Sequence, residues 1–149
     1  MPIVLVDTNV WVSALINPYG FPARLKDAWL AGRFNVVISV PILEEIADVL
    51  TRPRIQSKYK LSDNDIQELL QLLQERTRHV ELIGAVRLCR DPDDDQVLET
   101  ALVGGAEMLV SRDDDLKDDV DLITQMQIKG IRVLSVQRFL NWLDEYQPS

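Results

Sequence analysis

Short runs of apolar residues alternate along the chain with longer segments in which apolar positions recur every three or four residues. The short runs suit strands buried on both faces of a parallel sheet, and they predict strands over residues 3–6, 35–39, 80–83, 108–111 and 132–136. The longer segments have the helical period and predict helices over residues 21–32, 40–50, 61–77, 91–105 and 136–146. Alternating strands and helices predict a three-layer α/β/α domain with a mostly parallel sheet of about five strands.

Helix-end signals support these boundaries. Pro41 stands near the start of its helix, and Asp91 followed by Pro92 is typical of an N-cap and first helical position. Ser62 and Asp65 form a pair like a capping box before a stripe of leucines.

Length and composition favour one domain over residues 1–149, because a chain of this length with 46% hydrophobic residues can bury a sizeable core. Asp7 interrupts the first apolar run and no basic segment precedes it, so we expect neither a signal peptide nor a membrane span. Cys89 is the only cysteine, which fits a reducing compartment, and a cytoplasmic location is expected. With His79 as the only histidine, a zinc site of His and Cys is not expected.

The net charge of −8 at first argues against a nucleic-acid substrate. However, residues 91–121 hold 12 acidic and two basic residues, which leaves 12 acidic and 14 basic residues elsewhere, or about +2. Because the acidity is local and bound cations can offset it, the net charge does not exclude a polyanionic substrate.

Two aspartates directly follow predicted strands. Asp7 comes after the strand over 3–6, and Asp113 comes shortly after the strand over 108–111. If both strands are parallel members of one sheet, both carboxylates lie at its carboxyl edge, where functional groups of such sheets gather. The alternative is that each aspartate is a helix N-cap or turn residue, since Asp is common at those positions.

The helix over 40–50 carries three acids, and Glu45 is the one nearest to the predicted buried face. At roughly 100° per residue, its apolar stripe is centred near Ile46, and Glu44 and Asp48 fall toward solvent. Glu45 falls at the boundary of the buried face and can reach toward the sheet, although one more surface acid remains the alternative.

The helix over 91–105 opens with an unusual density of aspartates. Asp94 lies near the centre of its apolar face, with Asp93 and Asp95 to either side. The helix dipole favours acids in a first turn by about 0.3–1 kcal/mol each, whereas burying an unpaired carboxylate costs several kcal/mol. An inward Asp94 therefore requires a cation or an open cleft.

Asp7, Glu45, Asp94 and Asp113 are thus candidates for one acidic cleft. Oxygen ligands without histidine or cysteine favour Mg²⁺ or Mn²⁺. Such ions suit phosphate chemistry, because one can activate a water and a second can stabilise the leaving oxygen.

Four segments carry a resemblance to a known family. In chain order they read VDTNVWVSAL, PILEEIADVL, CRDPDDDQVLETAL and LVSRDDDL. The chain resembles the PIN-domain family of metal-dependent nucleases over nearly its whole length, and within it the VapC-like ribonucleases that are toxins of type II toxin–antitoxin pairs. The resemblance therefore implies an endoribonuclease that hydrolyses RNA phosphodiester bonds.

The resemblance also implies roles for individual residues. Asp7, Asp94 and Asp113 would hold Mg²⁺ or Mn²⁺, and Glu45 would complete the site or orient the attacking water. The supporting residues implied are Asn9, Ser111 (where threonine is usual) and, as an extra acid at the rim, Asp115. Three neighbouring acids leave ambiguities in this alignment, namely Glu44, Asp93 and Asp95.

The same resemblance implies RNA as substrate, an antitoxin protein as partner and a homodimer as assembly. A basic segment over 51–60 follows the Glu45 helix and could flank the cleft on RNA, with Tyr59 available for stacking. Its basic residues are Arg52, Arg54, Lys58 and Lys60. A solvated basic loop is the alternative.

Other protein classes fit less well. A haloacid-dehalogenase-like phosphatase also has an aspartate after its first strand, but it requires a second acid where this chain has Asn9 and a downstream lysine that is not evident. A receiver domain requires an acidic pair after the first strand, and a nucleotide-binding domain requires a glycine-rich phosphate loop. Neither feature is evident in this sequence. A catalytically inactive PIN-like binding module is the remaining alternative, which metal-dependent RNA cleavage would distinguish.

Overall fold

The computed structural model describes residues 1–146 and contains one five-stranded sheet. Its strands are β1 (Ile3–Val6), β2 (Asn35–Ile38), β3 (Arg78–His79), β4 (Met108–Ser111) and β5 (Arg132–Ser135). They lie in the order β3-β2-β1-β4-β5, and every neighbouring pair is parallel. The central strand β1 therefore has the carboxyl ends of β2 and β4 on either side of its own.

Helices occupy most of the connections between the strands. They are α1 (Thr8–Ile16), α2 (Phe21–Leu30), α3 (Val40–Leu50), α4 (Pro53–Tyr59), α5 (Asp63–Glu75), α6 (Pro92–Gly104), α7 (Asp113–Asp118), α8 (Val120–Ile128) and α9 (Val136–Glu145). They flank the sheet, which confirms the predicted α/β/α architecture. Among residues 1–146, no helix combines the length and the hydrophobicity that a membrane span requires.

The core consists mainly of aliphatic side chains from the sheet and the inner faces of the helices. Two aromatic pairs add edge-to-face contacts, Trp11 with Trp29 at a ring-centroid distance of 5.0 Å and Phe34 with Phe139 at 4.9 Å. Such pairs contribute about 0.5–1.5 kcal/mol each beyond the area they bury. Together they fix α1 on α2 and α9 against the segment that leads into β2.

The carboxyl-terminal end of helix α6 packs closely against the sheet. A Cβ atom at Gly104 would lie 2.9 Å from Cβ of Val37 in β2, closer than packed carbon atoms tolerate. Because only glycine fits, the end of α6 rests directly on β2, and this contact sets the position of the whole helix.

The prediction of a strand over residues 80–83 is wrong. The strand at this edge of the sheet is β3, which ends at His79, and only the Val80 amide continues the pairing by donating to the carbonyl of Ile38 at 2.9 Å. The following backbone amides bind a glutamate of α6 instead of a neighbouring strand, so the apolar run forms an anchored loop.

Three further segments differ from the sequence prediction. The basic stretch over 51–60, for which the pattern predicts no helix or strand, contains a helix, α4, which begins at Pro53. Residues 8–16 and the acidic stretch 113–128 also form helices that the hydrophobic pattern did not indicate. The N-caps predicted at Ser62 and Asp91 are confirmed, because each side chain accepts a hydrogen bond from a first-turn amide. The predicted domain extends to residue 149, and residues 147–149 lie outside the described residues.

Candidate functional site

Asp7 occupies the carboxyl edge of the sheet between β1 and α1. Its backbone amide donates a hydrogen bond of 2.9 Å to the carbonyl of Val110, so its position is fixed against β4. Although Asp7 is the N-cap residue of α1, its side chain makes no capping hydrogen bond. The carboxylate instead accepts a hydrogen bond of 3.3 Å from the hydroxyl of Ser111, at the end of β4.

The pKa of Asp7 is raised from 3.8 to about 6. Burial is the main cause, since it disfavours the charged carboxylate, and the negative charges of Asp115 and Asp119 add to it. The Thr8 backbone amide and, after it, the Ser111 hydroxyl lower the pKa without compensating these effects. Asp7 therefore has excess negative charge around it, although the guanidinium of Arg112, which is ion-paired with Asp115, also interacts with it.

Glu45 is linked to this position through the residue next to Asp7. The buried Thr8 hydroxyl donates a hydrogen bond of 3.1 Å to a carboxylate oxygen of Glu45 on α3. The rest of the Glu45 side chain is exposed and lines a cleft between α3 and α6. Helix α3 thus brings Glu45 to the side of the first turn of α1.

Asp94 lies in the first turn of α6 and is half-buried, as its place on the inward helical face predicts. Its pKa is raised from 3.8 to about 6, first by burial and then by the negative charges of Asp119 and Asp91. Asp94 shares with Asp7 the combination of partial burial and unbalanced negative charge.

Two other aspartates at the start of this helix, Asp91 and Asp95, have structural partners. Asp91 accepts a hydrogen bond of 2.9 Å from the amide of Asp93, as an N-cap does. Asp95 accepts hydrogen bonds from the amides of Leu88 and Cys89, at 2.9 and 2.7 Å, and these bonds, that of Cys89 first, lower its pKa. Asp94 therefore differs from Asp91 and Asp95, whose carboxylates hold backbone amides, and from Asp93, which is exposed.

The segment after β4 brings Asp115, rather than Asp113, toward Asp7. Asp115 accepts hydrogen bonds from the side-chain amide of Asn9, at 3.3 Å, and from Nε of Arg112, at 3.1 Å. Its side chain is only 14% exposed. Asp113 is exposed and lies in a separate cleft of about 470 Å³ with Lys117 and Arg138. The structure thus places Asp115, the predicted rim acid, in a largely buried position near Asp7. Asp113, the predicted fourth acid, lies on the exposed surface.

Asp119 is a further candidate acid, which the sequence pattern did not indicate. It ends α7 and precedes α8, and its negative charge raises the pKa of both Asp7 and Asp94. Its own pKa is also raised, by burial and then by Asp115. Asp119 follows Asp115 by one helical turn, so the sequence signal would have been visible once α7 was recognised.

These acids suit a hard divalent cation by their chemistry, because they offer only oxygen donors in a region of unbalanced negative charge. Over residues 1–146, however, no three acidic, histidine or cysteine side chains lie close enough together to surround one ion. The structure nevertheless brings Asp7, Asp94 and Asp119 to one edge of the sheet, where the charge of Asp119 acts on both of the others.

The predicted substrate-binding residues lie on and beside α4. Arg52 donates to Asp48 at 2.8 Å and lines a cleft of about 290 Å³ together with Glu45 and Asp93. The remaining basic residues are exposed on α4 or just after it, at Arg54, Lys58 and Lys60. Lys58 stacks its ammonium over the ring of Tyr59 at 5.2 Å. Of the four, Arg52 is the one that the structure brings to the acidic cleft.

Comparisons with known proteins agree with this fold. The family model of the PIN domain matches residues 3–115, which include β1 through the start of α7. MJ1680, an uncharacterized protein of Methanocaldococcus jannaschii, is 28% identical over 144 residues, which span 97% of this chain and 91% of that protein. The name of that relative states no activity.

Proposed function

The chain belongs to the PIN-domain family, and from this membership we propose that it is a metal-dependent endoribonuclease that hydrolyses RNA phosphodiester bonds. The observation that carries the proposal is the electrostatic coupling of Asp7, Asp94 and Asp119 at the carboxyl edge of the sheet. Asp119 raises the pKa of both other acids, so this edge keeps a surplus of negative charge that Arg112, ion-paired with Asp115, offsets only in part.

Such a concentration of carboxylates is costly in a metal-free protein and is resolved by a bound cation. We assign Asp7 and Asp94 as the main ligands of Mg²⁺ or Mn²⁺, with Glu45 completing the site or orienting the attacking water. The sequence prediction of Asp113 as a further ligand stays a prediction, and the hydrogen bonds of Asp115 favour that residue in its place. The bound ion would supply an activated water and stabilise charge on the leaving oxygen.

The supporting residues act by holding the acids. Ser111 donates to Asp7, and Asn9 and Arg112 donate to Asp115, so both carboxylates have fixed orientations. Arg112 also reaches the Ser13 hydroxyl at 3.4 Å, which ties the start of α7 to α1. These bonds would preserve the arrangement of the acids before and after an ion binds.

RNA binding is proposed for the basic residues near the cleft. Arg52 stands beside Glu45 and Asp93, where it would contact a backbone phosphate. Arg54, Lys58 and Lys60 on the exposed side of α4 would extend this contact along the strand, and Tyr59 offers a stacking surface.

The motifs also support a narrower proposal, that the protein is the toxin of a type II toxin–antitoxin pair. An antitoxin protein would then be its partner, the assembly would be a homodimer, and the protein would act in the cytoplasm. Induced expression should arrest growth, and Asp7→Asn should relieve the arrest. Growth that continues with active wild-type protein would contradict the toxin role while leaving the nuclease activity in place.

The nuclease proposal is tested with mixed RNA substrates in Mn²⁺, in Mg²⁺ and in a chelator. The wild type should cleave only with a metal, and Asp7→Asn should lose at least about a hundredfold in rate. Asp27→Asn is the matched control, because Asp27 is an exposed aspartate on α2, and it should keep wild-type activity. Wild-type protein that cleaves no RNA in either metal would refute the proposal and favour an inactive binding module.

A further inference from the structure

Three neighbouring spaces lie along the boundary between α3 and α6, the first of them beside Asp7. A small space beside Asp7 is lined by Ile42 and Val97, and both residues also line the cleft of about 290 Å³ that contains Glu45. That cleft shares Pro41 and Gln96 with a third cavity, of about 540 Å³, beside the loop after β3. Each space therefore adjoins the next, and the third shares no lining residue with the space beside Asp7.

The third cavity, which we call the base cavity, is lined mainly by apolar groups. Its lining residues are Val40, Pro41, Val80, Glu81, Leu82, Gly84, Val86, Arg87, Pro92, Asp95, Gln96 and Glu99. A volume of about 540 Å³ falls within the range of roughly 300–1,000 Å³ that is typical of small-molecule sites.

Two of the carboxylates in the base cavity are already engaged. Glu99 is 3% exposed and accepts hydrogen bonds from four consecutive loop amides, those of residues 83–86. Asp95 accepts from the amides of Leu88 and Cys89. The lining side chains left to recognise a ligand are Gln96, Arg87 and Glu81.

The remaining polar groups match the edge of a purine. Among residues 1–146, the side-chain amide of Gln96 makes no hydrogen bond, so its donor and acceptor are both available. Glutamine pairs in bidentate fashion with N6 and N7 of adenine, and arginine with O6 and N7 of guanine. Apolar walls such as Val40, which is 59% exposed, would cover the flat faces of the base.

From this arrangement we infer that the base cavity binds one unstacked purine of the RNA, close to the phosphodiester that is cleaved. The inference rests on the proposed function for the identity of the substrate. Arg52 lines the cleft that adjoins the base cavity and is ion-paired with Asp48, and it would hold a neighbouring phosphate of the same strand. A protein segment is the other class of occupant, but the adjoining cleft that contains Glu45 and the side-chain amide of Gln96 favour the nucleotide.

The first test measures binding without any metal. Full-length ¹⁵N-labelled protein in a chelator is titrated with AMP, GMP, CMP and UMP, while the NMR signals of the Gln96 side chain and the Gly84 amide are followed. We expect AMP and GMP to shift these signals at about tenfold lower concentrations than CMP and UMP. Gln96→Leu should remove this preference, and Gln137→Leu, an exposed glutamine on α9, should retain it.

The second test uses cleavage of pyrimidine RNA oligonucleotides that contain one purine or none, in Mn²⁺. The ratio of kcat/KM for the two substrates should favour the purine about tenfold in the wild type and approach one in Gln96→Leu. Equal cleavage of both substrates, with no mononucleotide shifting the signals of Gln96 and Gly84, would overturn the inference but leave the nuclease activity standing. Purine-selective shifts without any cleavage would support the base cavity and refute the proposed function.

Discussion

Thr8 and Glu45 are joined by a hydrogen bond of 3.1 Å between residues that lie 37 positions apart in the chain. The Thr8 hydroxyl is the donor and is buried, whereas the acceptor carboxylate is exposed on α3. Because Thr8 directly follows Asp7, this bond sets the direction in which Glu45 faces the candidate metal-binding acids.

Thr8→Val should reduce catalysis without weakening RNA binding. The substitution keeps the shape of the side chain but removes the donor, so Glu45 loses its fixed orientation. We expect kcat to fall about fivefold to tenfold at a similar KM, and Thr8→Ser to restore it. Urea denaturation should show a stability change of about 1 kcal/mol. An unchanged kcat in Thr8→Val would contradict a positioning role.

Asp7→Asn should stabilise the metal-free protein at pH 7. The pKa of Asp7 is about 6 in the folded state, above the ordinary 3.8, so the folded protein binds the proton more tightly and loses stability as the pH rises through this interval. Removing the charge should raise the free energy of unfolding by on the order of 1–3 kcal/mol. Thermal unfolding in a chelator at pH 7 and pH 3.5 checks this, because the gain should vanish at the lower pH.

Metal affinity should depend on pH in the same interval. Protons compete with the ion for Asp7 and Asp94, both with a pKa of about 6, so affinity should rise from pH 5 to about pH 7 and then level off. Calorimetric titration with Mn²⁺ at several pH values measures this dependence. An affinity that is constant from pH 5 to pH 7 would argue against these two acids as ligands.

Asp115 and Asp113 should respond differently to the same substitution. Asp115 is bonded to Asn9 and Arg112 near Asp7, whereas Asp113 is exposed in the cleft with Lys117. Asp115→Asn should lower metal-dependent cleavage by at least about tenfold, and Asp113→Asn by less than about threefold. The reverse order, measured under identical Mn²⁺ concentrations, would restore the assignment that the sequence motif suggested.

The inward position of Asp94 was predictable because Leu98 and Ala101, which are buried, follow it at helical spacing, and a single helical register then separates Asp94 from its neighbours. The roles of Asp115 and Asp119 were not predictable in this way. Helix α7 has six residues, most of them acidic, so it shows no apolar periodicity from which its inner side could be read.

The loop after β3 shows a second limit of prediction from the hydrophobic pattern. Residues 80–83 are apolar enough for a buried strand, yet their continuation is bound by the carboxylate of Glu99. The sequence places Glu99 on α6 but does not reveal that its partners are backbone amides, because any segment can supply those. The hydrophobic pattern alone therefore placed the edge strand over residues 80–83, whereas β3 begins two residues earlier, at Arg78.

Glu99→Gln should destabilise the fold. Burial alone would raise the pKa of Glu99, but its four amide partners outweigh that effect and lower it. A neutral amide would turn an NH₂ group toward those donors, and we expect a loss of about 2–4 kcal/mol in urea denaturation. Glu68→Gln, at an exposed position of α5, is the matched control and should change stability by less than about 0.5 kcal/mol. Equal stability of the two variants would show that the amide bonds contribute little.

The close contact at Gly104 has a consequence for how mutational tolerance is read in this protein. A methyl group there would push the end of α6 away from Val37 and tilt the helix that carries Asp94 at its other end. In a saturation mutagenesis experiment scored by activity, Gly104 should therefore rank with the acids, although it touches neither ion nor RNA. Selection for the chemistry of Asp94, at the start of α6, thus also constrains Gly104 at the end of the same helix, which has no side chain.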